Sequence, residues 1–239
     1  MEKVTLDQHI SRQFNTDLEH LKTQTLAMGG LVEQQLQDAM SALENGDSEQ
    51  ALGVLETEKQ IDFMERDIDE ACTTVIARRQ PAATDLRMIL AVSRSVRDLE
   101  RIGDESQRIA KMAIGLSEEG GAPRGYVEAR HIANGVRDML RGCLDAFARF
   151  DAQAARETMA KDKQIDLDYR SAVRELVTYM MEDPRSISRV MNVLWTLRAL
   201  ERIGDHAKNI AEFVVFLVQG SDVRYEKSIA KEAARNKES

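Results

Sequence analysis

The chain has 239 residues, 43% of them hydrophobic and 5% aromatic, with three prolines and a net charge of −8. That hydrophobic share supports a buried core and excludes wholesale disorder, and the scarcity of turn formers and aromatics disfavours a sandwich or barrel of short strands. The acidity argues against general nucleic-acid binding, because a phosphate backbone would be repelled; it sits in residues 1–120, where 13 Lys and Arg meet 23 Asp and Glu.

Abundant Ala, Leu, Glu, Arg, Gln and Met favour helix, and the breaks in the pattern predict six helices. The first runs over 6–44, where Leu18, Leu21, Met28, Val32, Leu36, Ala39 and Leu43 recur at the spacing of a core-facing stripe. Gly46 suits the position just past its end. Asp47 is an N-cap for the next helix, with Gln50 expected to complete a capping box. The second helix, 48–78, stops at Gln80-Pro81. The third, 82–116, gives way to the longest cluster of helix breakers, Ser117 to Gly125. A fourth helix covers 126–149 and a fifth 152–181, separated by a weaker break at Phe150-Asp151. Asp183-Pro184 starts the sixth, 184–219, with a capping carboxylate and a first-turn proline. After Gly220 the sequence turns polar; Arg224, Lys227, Lys231, Arg235 and Lys237 stand among acids and read as a solvated tail. Cys72 and Cys143 fall inside apolar patterns and read as small buried thiols. No apolar run reaches the roughly 18 residues of a membrane span, and the N-terminus has no apolar signal core. The expectation is a soluble, cytoplasmic protein.

Three helices, a boundary and three more helices suggest a duplication. Residues 99–104 read Leu-Glu-Arg-Ile-Gly-Asp, and residues 200–205 read the same six. Lys59-Gln60-Ile61-Asp62 recurs as Lys163-Gln164-Ile165-Asp166. Both matches fall on corresponding helices, so the reading is all-α: two tandem three-helix bundles, 1–119 and 120–219, with a tail at 220–239.

Each half carries two acidic pairs four residues apart: Glu58/Asp62 and Glu100/Asp104, then Asp162/Asp166 and Glu201/Asp205. Residues so spaced share a helix face. Glu58 and Asp162 lie on the apolar seams of the second and fifth helices, among Val54, Ile61 and Ile68 and among Ala155, Ile165 and Leu176. The bland alternative is helix-surface charge, neutralised at a spacing of three by Arg97, Arg101, Arg198 and Arg202. Acids at matching seam positions of both repeats favour a bound cation, because facing carboxylates without one would cost several kcal/mol. Oxygen donors favour Mg²⁺, Mn²⁺, Ca²⁺ or iron over structural zinc. A di-iron oxidase would need two Glu-x-x-His pairs, and only Glu128/His131 exists. His206 reads as a surface histidine more readily than as a ligand. Gly103 and Gly204 mark either close helix packing or room beside the carboxylates. No nucleophile–base set, Walker A, GxSxG or GxGxxG stretch occurs, so an enzyme is not the default.

The duplicated LERIGD, the stretch ARRQPAATDLRMI over 77–89 and the GSDVR at 220–224 together resemble the PhoU family, over about residues 5–225. The resemblance implies two tandem three-helix bundles, a homodimer, and metal held where the acidic motifs meet. By the motif, those ligands are Glu58, Asp62, Glu100, Asp104, Asp162, Asp166, Glu201 and Asp205. It also implies a non-enzymatic repressor of the phosphate-starvation regulon that links the phosphate transporter's ATPase, PstB, to the sensor kinase PhoR. Two departures stand out: Tyr225 where many relatives have His, and the shorter Asp162 where the first repeat has Glu58. The rival readings are a metal-dependent hydrolase of phosphate compounds and a plain dimerisation module.

Overall fold

The computed structural model describes residues 12–81 and 83–221, and every regular element among them is helical. These are α1 (Arg12–Asn45), α2 (Ser48–Arg79), α3 (Ala83–Glu118), α4 (Tyr126–Arg149), α5 (Ala152–Glu182) and α6 (Ile187–Gln219). The expected start of the first helix at residue 6, the tail beyond 221 and Tyr225 lie outside the described residues.

Two junctions show the duplication in backbone geometry. Gly46 leaves α1 with φ 64°, and Phe150, 104 positions later, leaves α4 with φ 53°. The next amide bonds back in each case, Asp47 N–H to Ala42 O at 3.0 Å and Asp151 N–H to Ala146 O at 2.9 Å. Each aspartate then caps the following helix, accepting from Gln50 N–H, or from Gln153 and Ala154 N–H, at 2.9–3.0 Å. The expected capping box at Asp47 does not close. Its amide is already taken by Ala42, and the Gln50 side chain turns to Asp38 instead. Phe150 accepts the left-handed conformation that glycine serves in the first repeat, a cost of about 1–2 kcal/mol for a residue with a Cβ. Its ring packs edge-on against Phe147 with 6.3 Å between centroids, which offsets that cost.

The start of the sixth helix also differs from expectation. Asp183 accepts from Arg185 N–H at 3.2 Å, but the first turn, Pro184–Ser186, is a 3-10 helix, closed by Ser186 N–H to Asp183 O. The α-helix begins at Ile187.

The predicted stripe of α1 is buried throughout, against α2 and α3. Helices α4, α5 and α6 pack around one another in the same way, giving two three-helix bundles. The bundles join mainly along α3 and α6, with α1 against α4 as a second seam. Gly29 makes that second seam close: a Cβ there would stand 2.5 Å from Leu144 Cδ2. Ion pairs Arg130–Glu44 at 2.8 Å and Arg141–Glu33 flank it. Helices α2 and α5 stay within their own repeats, so each repeat presents an α2/α3 or α5/α6 pair carrying the acidic motifs.

Candidate functional site

The register that buries Val54, Ile61 and Ile68 also carries Glu58 into the interior of the first repeat. Its Oε2 accepts from Gln35 Nε2 of α1 at 2.5 Å, while Glu58 Oε1 and Gln35 Oε1 are buried without a hydrogen-bond partner. Gly103 makes this fit possible, since a Cβ there would stand 2.8 Å from Glu58 Oε2 and 3.2 Å from Gln35 Oε1. Burial pushes the Glu58 carboxyl up to about 7; the Gln35 hydrogen bond opposes this, and the charges of Asp104, Asp62 and Glu100 add to it. Burial and then Asp104 raise Glu100 as well, against the pull of Arg101. Arg101 stands 3.4 Å from Glu100 and 3.8 Å from Asp104, but it is exposed and screens them weakly. The four predicted acids of the first repeat therefore lie within one another's field.

The second repeat gathers its four acids too, with a different answer to their charge. Asp162 is buried on the α5 seam and ion-paired to Lys208 of α6. Burial alone would lower the Lys208 ammonium, but the bond to Asp162 and the charges of Asp162, Asp205 and Glu212 raise it on balance. Glu201 is raised by burial, against Arg198 at 2.6 Å, with Asp205 and Asp166 adding. Asp205 is raised by burial and by Asp162, with Lys208 opposing. The expectation of uncompensated facing carboxylates thus describes the first repeat and fails for the second, because Lys208 reaches the seam.

Other residues fall differently from their sequence reading. Arg198 pairs with Glu201 as expected, but Arg202 passes over Asp205 and reaches Glu105 of the first repeat at 2.6 Å. Glu105 is buried and needs that charge. His206 is not a solvent-facing histidine; its Nδ1 stands 2.6 Å from Asp98 Oδ1, which also accepts from Asn209 at 3.1 Å, tying α6 to α3. Gly204 faces Val136 and Ile165 at ordinary contact distance, so it serves packing, whereas Gly103 makes room for a carboxylate. Gln35 and Lys208 are the residues the sequence reading missed. Their signals were a polar residue beside Leu36 on an apolar stripe, and a lysine three residues after Asp205.

Among the described residues no three His, Cys, Asp or Glu side chains stand converged on a point that would hold a metal ion. The donor chemistry of the two clusters still separates them. The first offers carboxylate and amide oxygens, including the orphaned Glu58 Oε1, with a neutral amide at its buried carboxylate and its guanidinium, Arg101, exposed, a donor set that suits a hard divalent cation. In the second, an ammonium already bonds the buried carboxylate, and the residues as they stand do not fit.

The description "PhoU domain" belongs to a family model that matches residues 25–113 and again 129–214, one copy in each bundle. A Pseudomonas putida protein named phosphate-specific transport system accessory protein PhoU homolog is 60% identical over 223 residues, spanning 93% of this chain and 87% of its own. The Escherichia coli K12 protein named phosphate-specific transport system accessory protein PhoU is 44% identical over 225 residues, spanning 94% and 93%. The crystal structure of PhoU from Pseudomonas aeruginosa matches with a TM-score of 0.86 at 59% identity, covering 87% of this chain and 100% of that one. A matching domain in each bundle, relatives matched along nearly their full length and the shared six-helix architecture agree: this chain belongs to the PhoU family.

Proposed function

We propose that this protein is an accessory regulator of phosphate-specific transport that restrains phosphate uptake and the phosphate-starvation regulon when phosphate is plentiful. The observation that carries this is the 60% identity, over 93% of the chain, to a protein named for that transport system. In this reading it is a non-enzymatic cytoplasmic adaptor, a homodimer, that couples the transporter's ATPase, PstB, to the sensor kinase PhoR. It holds a divalent cation or iron among its acidic helix pairs. Among the described residues no helix is long and apolar enough to cross a membrane, and the adaptor meets the membrane through its partners.

Adaptation of this kind needs a surface whose affinity depends on the partner's state. Moving a two-state kinase from mostly active to mostly repressed takes about 5.5 kcal/mol of differential binding. An ordinary interface of roughly 800 Å² per partner is the size at which stable protein complexes form. The test is a starvation-promoter reporter at high phosphate in a strain lacking this protein, with and without the sensor kinase. The reporter should be on in the first strain and off in the second. Normal repression in the first strain would refute the regulatory role, and expression that persists without the kinase would refute the route through it.

A further inference from the structure

Glu58 and Asp162 occupy equivalent places in the two repeats, 104 positions apart, on helices whose capping residues Asp47 and Asp151 are separated by the same interval. What meets the two carboxylates differs. Asp162 bonds the Lys208 ammonium, which also lies in the field of Asp205 and Glu212. The first repeat has the uncharged Gln107 at the position 101 residues before Lys208, the interval that separates the two LERIGD segments. Glu58 instead receives a neutral amide from Gln35, and the residue 104 positions after Gln35 is the apolar Met139. Glu58 is 3% exposed and Gln35 1%, yet one oxygen of each has no hydrogen-bond partner. Both oxygens border Gly103, which lies on α3 between Glu100 and Asp104.

We propose that Lys208 is the built-in counterion of the second acidic cluster, and that the protein takes a divalent cation only at the first, among Glu58, Asp62, Glu100, Asp104 and the carbonyl oxygen of Gln35. This rests on the proposed cation-holding role and narrows it to one repeat. A divalent ion entering the second cluster would have to expel an ammonium of like sign from a buried carboxylate, and breaking such a pair is strongly unfavourable. In the first cluster the buried carboxylate faces a neutral amide, and the Arg101 guanidinium beside Glu100 and Asp104 is exposed and turns readily to water, so an entering ion displaces no buried cation and meets the oxygen donors that hard cations require. It also gives the orphaned oxygens of Glu58 and Gln35 a partner that the protein itself does not supply.

The experiment is equilibrium dialysis of the full chain against Mn²⁺, with bound metal read by elemental analysis and helicity by circular dichroism. The double variant Glu100→Ala/Asp104→Ala should lose bound Mn²⁺, while Glu201→Ala/Asp205→Ala should keep the wild-type content. Lys208→Gln, which installs the first repeat's residue, should raise bound Mn²⁺ toward about twofold, and Gln107→Lys should remove it. If Lys208→Gln does not fold, the comparison of the two double variants decides. Equal losses from both double variants would overturn the proposal while leaving the cation-holding role intact. A wild-type chain that binds no Mn²⁺ would overturn both.

Discussion

Gly103 and Glu58 fit against each other: a Cβ at position 103 would stand 2.8 Å from Glu58 Oε2. Gly204, at the same place in an identical six-residue segment, faces Val136 Cγ1 at 3.4 Å and Ile165 Cγ2 at 3.6 Å. Alanine should therefore have opposite effects at the two sites. Gly204→Ala recovers about 1 kcal/mol of helix propensity against ordinary contacts and should stabilise. Gly103→Ala recovers the same propensity but displaces a buried carboxylate held by Gln35, and should destabilise. Urea unfolding midpoints that move in opposite directions are the expected result.

The Arg202–Glu105 pair between the bundles should also respond asymmetrically. The Glu105 side chain is 4% exposed and that of Arg202 35%. Arg202→Ala strands a buried carboxylate with only the exposed Arg108 beside it at 3.3 Å, a cost of about 1–3 kcal/mol. Glu105→Gln keeps the volume and lets Arg202 turn to water, so it should cost less. Losses near zero for both variants in urea unfolding would show that the pair contributes little to joining the repeats.

The raised carboxyls set a pH dependence whose sign follows from linkage. Glu58 titrates at about 7 in the folded chain against 4.5 as its ordinary value. The folded state thus holds this proton more tightly, and the stability so gained is fully present below pH 4.5 and lost as pH rises through about 7. Glu100, Glu201 and Asp205 are raised as well and act in the same sense. Thermal melts of chelator-treated protein should fall in Tm across this window, and Glu58→Gln should reduce the slope. Mn²⁺ should raise Tm most at the alkaline end, where the carboxylates are free to bind it.

Burial pushes the Cys72 thiol up to about 12 and raises Cys143 as well. Neither should react with a thiol reagent near pH 8 in the folded protein, and both should react once it is unfolded. Rapid labelling of the native chain would contradict the packing described for α2 and α4.

Periodicity and breakers carried most of the fold. The stripe from Leu18 to Leu43, the caps at Asp47 and Asp151 and the duplicated segments each depend on neighbours within a few residues, which is what a sequence pattern records. The acidic quartets were legible for the same reason: a spacing of four places two carboxylates on one helix face. Lys208 and Gln35 were missed, and Arg202 and His206 were given other surroundings, because their partners lie on other helices, Asp162, Glu58, Glu105 and Asp98. Two identical segments gave no sign that Gly103 faces a carboxylate and Gly204 faces Val136. Helix-to-helix register decides that.

A link between the proposed regulatory role and the proposed cation site is tested most directly by returning Glu100→Ala/Asp104→Ala to a strain lacking the protein and measuring a starvation-promoter reporter at high phosphate. The variant should accumulate as a helical protein and leave the reporter switched on, as in the deletion strain. Full repression by the variant would contradict a regulator that works through its first cluster.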